Sequence, residues 1–222
     1  MAEQLAFSLS TKPALGRDNF FVSEANQLAV TTLENSDSWP NGKLVLSGPA
    51  ASGKTHLAHV WAGEVAARIL PALNLSARDI AELATGPLVI EDIDTMTSDD
   101  EVALFHLHNL MMAEGHPLLM TTATAPAAMS VGLPDLLSRL QGTALVALDP
   151  PDDALLSVVL LKLFADKQIN LPSGLLDYVL PRIGRSFGAA REFVDAIDAR
   201  ALREGKPIGK RLAGDILRGD AG

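Results

Sequence analysis

No cysteine occurs among the 222 residues, which excludes disulfides and thiolate metal sites. No apolar run reaches ~18 residues, so no membrane-spanning helix is expected. The start, Met1-Ala2-Glu3-Gln4, has neither the basic region nor the apolar core of a secretory signal. Together these absences point to a cytoplasmic protein. Positive charge is also scarce: 18 Lys and Arg stand against 27 Asp and Glu, a formal balance of −9. A duplex-binding domain usually draws affinity from a basic face, so this balance argues against autonomous DNA binding. The stretch from Arg200 to Arg218 is richer in Lys and Arg and reads as a solvated helix face. There is no internal repeat and no low-complexity tract.

What is present is a phosphate-binding motif. Gly48-Pro49-Ala50-Ala51-Ser52-Gly53-Lys54-Thr55 is G-x-x-x-x-G-K-[ST], a loop that wraps a polyanion with inward-pointing backbone N–H groups. Gly48 and Gly53 allow the required backbone angles. Lys54 offers a cation to the terminal phosphates, and the Thr55 hydroxyl can complete a Mg²⁺ shell. Lys43–Ser47 before the loop reads as a buried strand, and His56–Arg68 after it as a helix. That order is the setting of a working P-loop and aims a helix N-terminus at the phosphates.

Alternation continues along the chain. A helix is expected over 23–35 with Ser23 as N-cap, then a loop over 36–42. Strands are expected at 44–46, 70–75, 87–91, 118–122 and 143–148. Between them fall helices at 54–68, 77–84, 99–114 and near 133–140. Short apolar strands between helices imply a parallel sheet covered on both faces. After Pro150-Pro151 the pattern changes to helices alone, at 152–168, 172–183, 187–204 and 207–218. The expected fold is therefore an α/β P-loop core with a five-stranded parallel sheet, followed by a small all-helical lid.

Leu88-Val89-Ile90-Glu91-Asp92 is a strand ending in acids, where a P-loop protein holds Mg²⁺ and orients water. Asp94 reads as a turn cap. Thr121 and Thr122 end the fourth strand and are candidates for contact with water or phosphate. Arg139, on the short helix after that strand, is either a surface charge or an arginine finger reaching a nucleotide in a neighbouring subunit. His56 with His59 and His106 with His108 lack a third convergent ligand, so they read as ordinary core or surface histidines rather than a metal site.

Gly53-Lys54-Thr55-His56-Leu57-Ala58-His59 resembles the GKTHLxH signature of the bacterial replication initiator DnaA and its relatives. Pro150-Pro151-Asp152 and the run Leu163 to Pro172 are similar to the initiator's double proline and its I-x-L-P turn. The resemblance covers nearly all of residues 12–217 and implies an AAA+ ATPase fold. The chain ends at Gly222, without the initiator's DNA-binding domain or its amino-terminal domain. Gln4-Leu5-Ala6-Phe7-Ser8-Leu9 resembles the peptide that binds the DNA polymerase III β sliding clamp, with Leu5, Phe7 and Leu9 laid in an apolar groove and Gln4 adding polar contacts. The combination is similar to the Hda family, DnaA-homologous AAA+ factors that act with the loaded clamp to stimulate ATP hydrolysis by DnaA.

The resemblance implies a clamp-binding segment at 1–11, a nucleotide-binding core at 12–150 and the lid at 151–222. ADP or ATP with Mg²⁺ would sit against Gly48, Ala50, Ala51, Ser52, Gly53, Lys54, Thr55 and His56. Phe21, Val22 and Asn26 are candidates for the adenine pocket, or else for core packing and helix capping. Thr55 and Glu91 would hold Mg²⁺, with Asp92 the next catalytic acid. Arg139 aligns with the trans-acting finger, a face that could also join copies of this chain. Three positions depart from the family pattern: Ala51 replaces a glycine, Glu91 an aspartate, and Gly188 the lid arginine, for which Arg185 or Arg191 could substitute. Intrinsic ATPase activity is accordingly expected to be weak. Other readings are a helicase-loader-like ATPase, a metabolite kinase and a non-catalytic clamp adaptor.

Overall fold

The computed structural model describes residues 21–219. The clamp-like residues Gln4, Leu5, Phe7 and Leu9 lie outside that range. Five strands form one parallel sheet: β1 (Lys43–Ser47), β2 (Arg68–Pro71), β3 (Leu88–Glu91), β4 (Leu118–Thr122) and β5 (Ala144–Ala147), in the order β2-β3-β4-β1-β5. The chain divides into two compact units, one built from residues up to Gly48 with Lys54–Leu148, the other from Pro49–Gly53 with Asp149 onward.

Period-two side-chain alternation fills both faces of the sheet. Leu44 and Leu46 of β1, Val89 of β3 and Leu119 of β4 enter one core with Leu57, Val60 and Trp61 of α2 (Lys54–Val65) and Ala29, Val30 and Leu33 of α1 (Gln27–Glu34). Val45, Leu88, Ile90, Leu118 and Met120 point the opposite way. They meet Leu104, Leu107 and Met111 of α4 (Ser98–Ala113), Leu83 of α3 (Ile80–Leu83), and Leu136 and Leu140 of α5 (Pro134–Gln141).

Boundaries differ from expectation where local hydrogen bonding overrides apolar pattern. Ser23 does not cap α1. Its N–H donates to Asn26 Oδ1, its carbonyl accepts from Gln27, and Asn26 opens the helix. Asn26 thereby competes with the helix for backbone groups. α2 stops at Val65 because Ala66 turns left-handed, at φ 54°, and Ala67 N–H bonds back to the carbonyl of Ala62. β2 begins two residues earlier than expected and ends at Pro71. Beyond it, Asp100 accepts hydrogen bonds from the N–H groups of Asn74 and Ser76 and from the Ser76 hydroxyl, which coils 74–77 into a turn. The same carboxylate closes a capping box with Thr97 at the start of α4. Burial alone would raise its pKa, but the bonds from Ser76 and Thr97 outweigh burial and hold it well below the carboxylate range.

The second unit carries α6 (Asp153–Asp166), α7 (Leu175–Val179), α8 (Phe187–Glu204) and α9 (Lys210–Leu217) around Leu156, Leu160, Phe164, Phe193, Val194 and Ile197. Asp152 caps α6 and Ser186 caps α8 through their side chains. α7 is shorter than its expected 172–183: Gly174 precedes it at φ 70°, and Pro181 disfavours helix in the residue before it. At the ends of the last two helices Arg200 and Lys206 meet Glu204, and Arg218 meets Asp215.

Candidate nucleotide site

β1 leads directly into the glycine loop. Gly48 is buried, and its N–H donates to the carbonyl of Thr122, so the strand's hydrogen bonding carries one residue past its end. Lys54 opens α2, is 8% exposed, and donates from Nζ to the Gly48 carbonyl at 2.7 Å. Its ammonium is thus folded back onto the end of β1. Burial lowers its pKa, and Asp92 and Asp94 pull in the opposite direction. Thr55 and His56 are exposed on the first turn of the helix.

Residues 49–53 pack with the second unit. Ala51 stands at φ 56° and Gly53 at φ 100°. The first is a left-handed conformation that costs an alanine roughly 1–2 kcal/mol; the second is open to glycine alone in practice. The Ala51 carbonyl accepts from Phe187 N–H at 3.0 Å, and a Cβ on Gly53 would stand 2.9 Å from the Phe187 ring. A Cβ on Gly188 would meet the Ala51 methyl at 3.1 Å. Ala51 and Gly188 therefore approach closely, and any side chain at position 188 would press on the glycine loop. Arg185 pairs with Asp153 at 3.0 Å, and Arg191 is exposed on α8. Ser52 Oγ is buried with no hydrogen-bond partner among the described residues.

The acids after β3 stand in different surroundings. Glu91 is partly buried. Its Oε2 lies 3.8 Å from His59 Nε2, while Oε1 is buried without a hydrogen-bond partner among the described residues. A buried, unsatisfied carboxylate oxygen is costly unless a cation or water completes it. Asp92 is exposed at φ 56°, and its N–H donates to the Thr121 hydroxyl at 3.0 Å. Asp94 accepts from Ala123 N–H at 3.2 Å, joining the loop after β3 to the end of β4. Thr121 and Thr122 are fully buried and bonded within the chain, Thr122 to the carbonyl of Thr124. Mg²⁺ takes hard oxygens and leans on one or two carboxylates plus phosphates. The Thr55 hydroxyl and the unsatisfied Glu91 oxygen fit that donor set, and no group of three or more His, Cys, Asp or Glu placed to hold a metal ion occurs among the described residues.

The adenine candidates have structural roles of their own. The Asn26 amide donates to the Phe21 carbonyl at 2.9 Å and its oxygen accepts from Ser23. Val22 packs on the α2-side core.

Arg139 sits away from the loop, exposed on α5, with no carboxylate paired to it among the described residues. It lines a cavity of about 130 Å³ with Lys43, His108, Ser138, Gly142 and Thr143. Lys43 begins β1, five strand residues before Gly48, which places this cavity about 15 Å from the loop. The amino-acid pattern carries no sign of this cluster, because Lys43, His108 and Arg139 come from three separate elements.

No protein-family model matches the chain. An uncharacterised protein of Haemophilus influenzae is 26% identical over 199 residues, covering 84% of this chain and 86% of that one. Domain III of the replication initiation protein DnaA from Thermotoga maritima superposes with a TM-score of 0.77 at 19% identity, over 96% of this chain and 98% of that one. AMPPCP-bound DnaA from Aquifex aeolicus gives 0.70 at 16% identity, over 88% and 68%. The fold is that of DnaA domain III: a five-stranded parallel α/β core followed in the chain by four helices. No described helix is long and apolar enough to cross a membrane.

Proposed function

We propose that this chain is a nucleotide-bound regulator of chromosomal replication initiation of the Hda type. In this reading ADP or ATP with Mg²⁺ occupies the P-loop and acts mainly as a conformational ligand. Lys54 and the backbone from Gly48 to Thr55 hold the phosphates, and Thr55 with Glu91 holds the metal. Gln4, Leu5, Phe7 and Leu9 dock on the β sliding clamp in the cytoplasm. Arg139 delivers its guanidinium to ATP held by DnaA, with Asp92 the nearest catalytic acid of the chain's own weak ATPase. The proposed division is a clamp-binding segment at 1–11, the core at 12–150 and the lid at 151–222.

The observation that carries the reading is Arg139: exposed on α5 and unpaired with any carboxylate among the described residues. An arginine spent on fold stability is usually paired; one supplied in trans to a phosphoryl transfer accelerates it by roughly 10³–10⁵. Glu91 in place of aspartate and Gly188 in place of the lid arginine support weak hydrolysis in cis.

The test is reconstitution with DnaA and clamp-loaded DNA, following conversion of DnaA-bound ATP to ADP. Wild type is expected to stimulate conversion and Arg139→Ala to lose most of it while still binding clamp. Equal stimulation by the variant would overturn the finger and leave a clamp adaptor. Gln4→Ala with Leu5→Ala is expected to abolish clamp binding and spare nucleotide binding.

A further inference from the structure

Lys43 is one of the largest fully buried side chains of the molecule, at 2% exposure. Its one hydrogen-bonding neighbour among the described residues is another potential cation, His108 Nδ1 at 3.4 Å. His108 is itself buried, and its Nε2 lies 3.4 Å from the Thr143 hydroxyl, which donates to the Arg139 carbonyl at 2.8 Å. Arg139 completes the wall of the same cavity, and none of the lining residues is acidic.

A buried ammonium without a counter-charge is among the costliest arrangements a fold can hold. A guanidinium beside it adds repulsion, and the neutral imidazole offers a lone pair but no counter-charge. The electrostatics bear this out: burial first, then Arg139, lowers Lys43 to about 8. Burial, then Lys43 and Arg139, lowers His108 to about 4. The missing component is an anion, and the cavity is open to receive one.

We propose that Lys43, His108 and Arg139 form a second oxyanion site, distinct from the P-loop, that takes a phosphate-type group. Lys43 supplies a point charge from the floor, Arg139 a planar fork from the rim, and His108 becomes a donor as it protonates against the bound anion. The group is free inorganic phosphate, bound within one copy of the chain. The site does not depend on the regulatory role proposed above, since it concerns the isolated chain and an inorganic ion.

The test is titration of the full-length chain with inorganic phosphate in chloride-free buffer, read from the His108 imidazole resonances, which a His108→Gln variant assigns. A Lys54→Ala background removes the P-loop contribution. Saturable movement of the His108 signals is expected, with its pKa rising from about 4 toward the ordinary range. Lys43→Met, which replaces a buried charge by an apolar chain of similar length, is expected to weaken binding about tenfold or more, as is Arg139→Ala. Movement set by phosphate alone supports the site; movement that requires Mg-ATP and is not produced by phosphate belongs to the Arg139 finger and overturns it. No saturable change, or a change that persists unaltered in Lys43→Met and Arg139→Ala, overturns the proposal.

Discussion

Strand β1 is flanked by two buried lysines whose surroundings are opposite. At its carboxyl end Lys54 is held by the Gly48 carbonyl and faces Asp92 and Asp94. At its amino end Lys43 faces His108 and Arg139, with no carboxylate lining its cavity. Burial lowers both ammonium pKa values, but acids oppose the shift at Lys54 and a cation adds to it at Lys43. The first lysine is stabilised within the chain by a carbonyl and nearby acids; the second has no acid among the residues lining its cavity. Burial alone does not define what a lysine does in a fold, because the charges of its neighbours decide whether it is held or strained.

The largest effect that sharpens this contrast is on nucleotide binding. Lys54→Ala is expected to weaken ATP or ADP affinity by about 30-fold or more, whereas Lys43→Met changes it by less than about threefold, both measured by calorimetric titration. An equal loss in the two variants would break the comparison.

A pH series gives the next effect. His108 falls from its ordinary 6.5 to about 4 in the folded chain, so the unfolded chain takes up this proton first. The stability it contributes is complete above about pH 6.5 and is lost as pH falls through 4. The loss amounts to about 3 kcal/mol at most, and urea unfolding of His108→Gln should show a correspondingly flatter slope.

Lys43→Met in phosphate-free buffer at pH 7 should stabilise the chain by about 1–2 kcal/mol, since it removes an uncompensated buried charge. The advantage should shrink as pH rises from 8 toward 10.5, where the folded lysine is already neutral. Added phosphate should stabilise wild type and not the variant.

The smallest effect belongs to the glycine loop. Ala51→Gly relieves a left-handed alanine at φ 56° but loosens the unfolded chain by about 0.4–1 kcal/mol. Thermal unfolding should therefore shift upward modestly, by about 1 kcal/mol or less.

Much of the core is legible in the sequence because it rests on short-range rules. Leu118–Thr122 has the same bounds in sequence and structure, since a run of apolar residues between Pro117 and a polar turn admits one strand. The acidic start of α4 is visible in Asp99, Asp100 and Glu101. The bounds of β2 are not legible, because the turn at 74–77 is imposed by Asp100, 24 to 26 residues away, and no local signal announces it. Ser23 has the look of a cap but is not one, because Asn26, three residues on, wins the competition for the same backbone groups.

The candidate site divides in the same way. The P-loop is a local device: its glycines, lysine and threonine act through consecutive backbone, so their spacing alone determined the loop, the strand before it and the helix after it. The contact between Ala51 and Gly188, the unsatisfied oxygen of Glu91 and the cationic cavity of Lys43, His108 and Arg139 needed tertiary structure. They join residues far apart in the chain, and whether a charged side chain is paired, orphaned or repelled is settled only when packing brings its neighbours into reach.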